Sequence, residues 1–424
     1  MPIEQDTSES KGDKPFTLDK QWFDQAWKQV KHNQGGPGVD GVTIEQFEAS
    51  LEDELYKLWN RMSSGTYFPK PIKAVPIPKA DGGTRVLGVP TIADRVAQTV
   101  VANRAQAGAE QVFLPDSYGF RPGRAALDAV EMARQRCRQY DWVVDMDIAR
   151  FFDSVDHDLL MKVVEWQGWP RWAQICVQRW ISADLVGPDG QVTLRDRGTP
   201  QGGVISPVLA NLFLHVVFDV WMTKQYPDIP FERYADDAIC HCQTRRQAYA
   251  LVEALKQRFT DCGLELHPRK TKVVYCQDSK RKGNNLGPTR FTFLGFEFRA
   301  RPVKGKYGVY DLFGPGIDPV KRKGIIEVIR GWRIHTRTTA SWEDLARLVN
   351  PRVRGWMNYY ARYTASEFAG VLHYLNYRIF AWMRKKYRYR SVKKALRIWR
   401  RIAPYSRVFS HWCGPRPNAF IFAQ

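Results

Sequence analysis

Cysteine is scarce and unpatterned. There are seven in 424 residues, an odd count with no repeated Cys-x-x-Cys spacing, which excludes a disulfide framework and a zinc module. Cys240 and Cys242 share a strand face and read as small buried side chains. No run approaches 18 consecutive apolar residues, and the most apolar stretch, Gly203 to Val220, is broken by Pro207, His215 and Asp219, so no membrane partner is expected. The opening MPIEQDTSESKGDK has neither the apolar core of a signal peptide nor the arginine-rich, acid-poor bias of a transit peptide. Internal repeats and low-complexity tracts are missing too. These absences point to a soluble protein of a reducing compartment, the cytoplasm.

Acidic residues are what the C-terminal third lacks. The chain has 64 Lys+Arg against 44 Asp+Glu, a formal charge of +20. Residues 1–300 balance, 38 against 38, leaving 26 basic and 6 acidic residues in 301–424. A surplus confined to one end marks a domain boundary near residue 300 and a polyanionic partner, for which a phosphate backbone is the usual candidate. Aromatics interleave with the basic residues, as in nucleic-acid-binding surfaces and equally in cores.

Hydrophobic residues at 44% and charged residues at 25% are ordinary for a globular chain. Residues 1–14 read as a disordered tail. Phe23, Trp27 and Val30 predict a helix ending in the loop Asn33 to Gly38, and Thr43 predicts the cap of a second helix carrying Phe47, Leu51, Leu55, Leu58 and Trp59. Ala74–Lys79 and Thr84–Gly88 flank Asp81-Gly82-Gly83 as a hairpin. Helices are expected over Arg95–Ala107, Arg124–Arg138 and Asp156–Gln167, and strands over Trp142–Ile148, Phe231–Ala235 and Ala238–Cys242. A further strand pair is expected at Val273–Cys276 and Phe291–Phe298. Beyond residue 300 the pattern turns helical, most clearly from Ser366 to Tyr387, where Phe368, Val371, Leu372, Leu375, Ile379, Trp382 and Met383 share a face. Val392, Ala395, Leu396 and Trp399 repeat this with Lys393, Lys394, Arg397 and Arg400 on the other sides.

Two acidic features stand out. In Trp142-Val-Val-Asp-Met-Asp-Ile148, strand alternation puts Val143, Asp145 and Asp147 on one face, and a carboxylate in so apolar a segment needs a partner. In Phe231-Glu-Arg-Tyr-Ala-Asp-Asp-Ala-Ile-Cys240 two aspartates occupy a hairpin tip, a position that also suits a solvated turn. A strand-borne carboxylate joined by a hairpin-borne pair makes a cluster that divalent cations stabilise, magnesium first among them because it prefers hard oxygen ligands.

The residues now resemble a family. Tyr234-Ala-Asp-Asp237 resembles the catalytic hairpin of reverse transcriptases, and Asp147-Ile-Ala-Arg-Phe-Phe-Asp-Ser-Val-Asp-His157 resembles the first catalytic block of their group II intron-encoded branch. Further blocks follow in the family's order: Asn33 to Gly41, Tyr118 to Arg124, Gly198 to Pro207, Leu266 to Thr271 and Phe293 to Phe296. Asn350 to Tyr359 then resembles the maturase region, so that the resemblance covers about residues 15–390.

The resemblance implies an α+β right-hand polymerase with an antiparallel palm sheet, followed by an all-helical thumb. Residues 15–75 would be an N-terminal extension and the start of the fingers, 76–299 fingers and palm, and 300–424 the basic thumb and maturase region. It implies an RNA-directed DNA polymerase of the bacterial, endonuclease-lacking type, cytoplasmic, taking deoxynucleoside triphosphates, an RNA template and primer, and structured intron RNA. Position by position, it makes Asp147, Asp236 and Asp237 the catalytic carboxylates holding two Mg2+ ions, with Mn2+ as a possible substitute. Phe152 would screen the sugar 2′ position, or else fill the core beside Phe151. Lys79 and Arg85 would meet the triphosphate, Gln201 the nucleotide, and Lys270 would protonate pyrophosphate, although His267 stands where the family commonly has asparagine. Phe293 to Phe296 would support the primer terminus. Arg121 and Arg124, with Lys393, Lys394, Arg397 and Arg400, would contact nucleic acid. A maturase with an idle polymerase site and a domesticated enzyme of defence or repair share these motifs. The oligomeric state is left open.

Overall fold

The computed structural model describes residues 14–78, 83–281, 283, 286–402 and 407–413. The chain forms two compact units: Met1–Ala129 with Val144–Lys272, and Val130–Val143 with Val273–Gln424.

In the first unit the expected N-terminal helix is Lys20–Asn33, capped by the Asp19 carboxylate and burying Phe23, Trp27 and Val30. Thr43 caps the next helix in a capping box with Gln46. The stripe from Phe47 to Trp59 is not one helix, however. Ile44–Ala49 stops at Ser50, and Leu51–Ser63 starts from it. The strands are β1 (Ile72–Pro78), β2 (Thr84–Val89), β3 (Trp142–Met146, on which the chain re-enters this unit), β4 (Leu185–Val186), β5 (Val192–Thr193), β6 (Phe231–Tyr234) and β7 (Asp237–Cys242). β1 and β2 form the expected antiparallel hairpin, with Pro78 opposite Thr84; Lys79 and the hairpin tip lie outside the described residues. The two strands join a small sheet in the order β2-β1-β4-β5.

The central sheet places β7 between β6 and β3. The helix Ser206–Leu214 belongs to the core of this unit, continuing through a π turn, His215–Asp219, into Val220–Gln225. Ser206–Gln225 is long and apolar enough to cross a membrane, but 67% of its apolar window is buried inside the protein, as a core helix would be. Phe218 meets Phe231 edge-on at 4.9 Å between ring centroids. Helix Ile92–Val112, capped by Thr91, is buried along most of its length and outruns the expected Arg95–Ala107 at both ends.

β8 (Lys272–Tyr275) leads into the second unit, which holds β9 (Phe291–Phe293), β10 (Phe296–Gly305) and β11 (Gly308–Ile317). Here the structure corrects two expectations. Phe291–Phe298 is not one strand: Leu294 and Gly295 both take positive φ, 50° and 80°, and this turn folds β10 back on β9. The sheet order is β11-β10-β9, so β9 does not pair with β8. Helix also does not begin at residue 300, because β10 and β11 pair over ten residues each, from Phe296↔Ile317 to Gly305↔Gly308. Glycine, proline and charge in this hairpin hide its strand character from propensity.

Helices follow at Pro319–Gly331, Trp342–Tyr360, Ala365–Lys386 and Val392–Ile402. The helix Ala365–Lys386 buries all seven residues of the expected apolar face. They join Ile329, Val349, Val353, Ala395 and Trp399 in one core.

Candidate active site

Tyr234 pairs with Asp237 across β6 and β7, so the two-residue tip is Ala235-Asp236, while Asp237 opens β7. Ala235 sits at φ 58°, a left-handed conformation that non-glycine residues seldom take. Two features hold it there. Gly119 lies against it so closely that a Cβ on Gly119 would stand 2.3 Å from the Ala235 nitrogen. From within the unit, the guanidinium of Arg233 donates to the Ala235 carbonyl at 3.1 Å.

Arg233 has no solvent exposure, and its other donors are all directed. Nε and Nη2 reach the two Asp219 carboxylate oxygens at 2.6 Å each, Nη1 reaches Asn211 Oδ1 at 3.0 Å, and Nη2 reaches Ser117 Oγ at 2.8 Å. Burial alone would raise the Asp219 pKa; the charge and hydrogen bonds of Arg233, helped by His215, outweigh it and hold the carboxyl below its ordinary value. Asn211 Nδ2 donates to Gly119 O at 2.6 Å, closing the loop back to the hairpin. Sequence reasoning singled out neither Arg233 nor Asn211 and took Asp219 only as an interruption. The available signal was Asp219, a lone charge inside an apolar run.

Asp147 lies just past the end of β3, which stops at Met146 where the expected strand runs on to Ile148. Its carbonyl accepts from His267 N at 2.8 Å, and Ile148 bridges Leu266. This fixes the loop 266–271 beside it, and Lys270 Nζ stands 3.5 Å from Asp147 Oδ2. Asp236 is pushed above the usual carboxylate range by burial. Its own backbone hydrogen bond opposes that shift, the Asp147 charge adds to it, and Arg85 and Arg233 draw it back. Asp147 and Asp236, 89 residues apart in sequence, therefore lie within each other's field. Asp145 is pushed up to about 7, first by burial, with Lys272 lowering and Asp147 raising it.

Asp147, Asp236 and Asp237 are hard oxygen donors suited to a divalent cation. Among the described residues, though, no three His, Cys, Asp or Glu side chains are gathered closely enough to hold a metal ion. The convergence is electrostatic, with Lys270, Arg85 and Arg233 as its countercharges.

Around the carboxylates, the short helix Phe151–Ser154 is tied to the loop after residue 197: Thr199 N donates to Phe152 O at 2.7 Å. The Phe152 ring is half-buried and meets Phe151 edge-on at 5.4 Å. Gln201 packs against β2, its carbonyl accepting from Gly88 N at 2.6 Å. Gly202, at φ 113°, leaves no room for a side chain, since a Cβ would lie 2.6 Å from Gly88 O. The side-chain Oε1 of Gln201 is buried and has no partner among the described residues.

A family model described as Reverse transcriptase (RNA-dependent DNA polymerase) matches residues 77–298, more than half of the chain. The chain belongs to the reverse transcriptase family. A second model, Group II intron, maturase-specific domain, matches residues 322–401. Protein YkfC of Escherichia coli is 30% identical over 328 residues, covering 68% of this chain and 82% of that protein. Group II intron-encoded protein LtrA of Lactococcus lactis is 29% identical over 191 residues, 45% of this chain and 32% of LtrA, so the chain spans about a third of that relative. Apo telomerase of Candida tropicalis is matched at a TM-score of 0.43 and 15% identity, over 54% of this chain and 53% of that one.

In this reverse transcriptase, one expected nucleic-acid contact is corrected. Arg121 is buried: its Nε and Nη2 bind Glu110 and its Nη1 donates to the carbonyls of Leu114 and Ser117. It braces the loop before Arg124, with four of its five guanidinium N–H groups engaged inside the protein. Arg124 is exposed, over the Tyr118 ring. Lys393, Lys394, Arg397 and Arg400 are all exposed on the helix whose Ala395 and Trp399 are buried.

Proposed function

We propose that this reverse transcriptase extends a DNA or RNA primer on an RNA template, with Asp147, Asp236 and Asp237 as its catalytic carboxylates, and that the maturase-type region binds structured intron RNA to assist splicing and mobility. The observation that carries the first part is the field of Asp147 at Asp236, between a strand end and a hairpin tip that Arg233 holds in place. Carboxylates within each other's field repel one another, and a pure binder gains nothing from retaining them.

In this reading Asp147, Asp236 and Asp237 are the residues that would hold magnesium, which when bound would supply charge neutralisation at the reacting phosphates. Arg85, whose charge is felt at Asp236, binds the triphosphate, and the unpartnered Gln201 Oε1 accepts a hydrogen bond from nucleotide or template. Lys270, at 3.5 Å from Asp147, donates the proton that pyrophosphate needs on leaving. Phe152 excludes a ribose 2′-hydroxyl. The exposed cations of Val392–Ile402 bind phosphates without regard to sequence.

The test is primer extension with deoxynucleotides on an RNA template, by wild type and Asp236→Ala, beside a splicing assay with the flanking intron. Extension lost in the variant supports the reading. Splicing assistance without any wild-type extension would replace it with a binding maturase.

A further inference from the structure

The second unit contains a cavity of about 350 Å3 that the polymerase reading leaves unused. Four arginines line it, Arg134, Arg138, Arg301 and Arg362, against one acid, Glu131. Two of the four are already paired. Arg301 donates Nε to Glu367 Oε1 at 2.9 Å and Nη1 to Gly314 O, and Arg134 donates Nε to Glu131 Oε2 at 3.0 Å. Arg138 and Arg362 are exposed, and neither guanidinium donates a hydrogen bond or forms an ion pair among the described residues. Two positive charges thus border one cavity, and the carboxylate there whose charge reaches them, Glu131, is already bonded to Arg134; an excess of positive charge of this kind suits an anion.

The remaining wall is apolar and aromatic: Pro302, Val303, Leu312 and the half-buried Tyr363, whose ring lies 5.8 Å from the Arg134 guanidinium. Small-ligand pockets begin at about 300 Å3, so this cavity admits one nucleotide and no more. A continuous A-form helix would offer it phosphates only, since its bases stay stacked. A single-stranded or bulged nucleotide can be splayed out and present phosphate and base together.

We propose that this cavity receives one unstacked nucleotide of a bound RNA, its phosphate oxygens accepting from Arg138 and Arg362 and its base lying against Pro302, Leu312 and Tyr363. The proposal rests on the RNA-binding part of the function above and adds what composition cannot: a site that prefers an irregular RNA to a regular duplex.

The experiment compares two RNAs, identical but for a one-nucleotide bulge, by fluorescence anisotropy with the full chain. Wild type should bind the bulged RNA roughly tenfold tighter, the scale of one stacked base. Arg138→Gln/Arg362→Gln should abolish that preference while keeping primer extension on a regular template. Leu312→Trp, which fills the cavity without touching charge, should abolish it too and leave the salt dependence of duplex binding unchanged. Equal wild-type affinities, or a preference that survives both variants, overturns the proposal. So does AMP binding that needs the two arginines when no bulge preference exists, because the site would then serve a free nucleotide. If wild type extends primers yet binds neither RNA in this assay, the cavity assignment falls while the polymerase reading stands; if it does neither, the parent reading falls as well.

Discussion

Arg233 and Asp219 face one another through two 2.6 Å hydrogen bonds, and neither side chain has any exposure to solvent. The pair joins strand β6 to a π turn, a feature concentrated at functional sites, and its remaining donors fix the carbonyl of Ala235 immediately before the aspartates. The tip of the hairpin is held from the interior rather than by its own turn chemistry.

Arg233→Leu should therefore be damaging in two separable ways. Leaving Asp219 buried without its partner should cost about 3–5 kcal/mol, read as a lower thermal midpoint. Asp219→Leu/Arg233→Leu, which removes both charges, should recover much of that stability. It should not recover primer extension, because the Ala235 carbonyl stays unheld. Full activity in the double variant would show that the hairpin needs no such anchor.

Asp147→Ala, Asp236→Ala and Asp237→Ala should each abolish nucleotide addition and change RNA affinity by less than about twofold, since none belongs to a cationic surface. Near-normal extension by any of them would remove that residue from the catalytic set.

Phe152→Ala should raise ribonucleotide incorporation relative to deoxynucleotide, measured as a ratio of kcat/KM values. The ring is only half-buried, so the change should leave the thermal midpoint within a few degrees. Unchanged sugar discrimination with a large loss of stability would mark Phe152 as core.

Replacing Lys393, Lys394, Arg397 and Arg400 with Gln should lower the slope of log affinity against log salt by roughly 3, at about 0.7–0.9 for each phosphate left without its cation. An unaltered slope would mean that this face points away from nucleic acid.

Acid should loosen the second unit through His411. Burial holds this imidazole down at about 3 from 6.5, and its Nε2–H donates to Asn376 Oδ1 at 2.8 Å, an acceptor shared with the Trp412 indole. The unfolded chain takes up the proton first as pH falls, so the contribution is complete above pH 6.5 and shrinks toward pH 3. Between pH 6.5 and 4 the loss is about 3 kcal/mol. His411→Gln, which keeps a donor and cannot titrate, should flatten the acid limb of a thermal-midpoint profile.

Much of the site was legible in the linear chain because its parts are local. The strand after Trp142 and the hairpin at Asp236-Asp237 are short motifs that can be read without a fold, although the strand stops at Met146 rather than Ile148 and the tip is Ala235-Asp236, with Asp237 already in β7; the helix Ala365–Lys386 carries its apolar face at fixed spacing. Arg121 shows where such reading fails. An arginine in a loop block looks like a phosphate ligand until Glu110 and two carbonyls take up its donors. The β10–β11 hairpin failed for a related reason, since its strand character comes from cross-strand pairing that charged and glycine-rich residues do not advertise.

What the chain determines by itself is chemistry and period: which carboxylates exist, where positive charge collects, and which helices must bury a face. Those properties depend on residue type and on neighbours a few positions away. Tertiary structure alone decided that Asp147 lies within the field of Asp236, that Arg233 is buried beneath Ala235, and that Arg138 and Arg362 border one cavity. Each of these depends on segments distant in sequence, brought together only when the burial of apolar surface closes the loops between them.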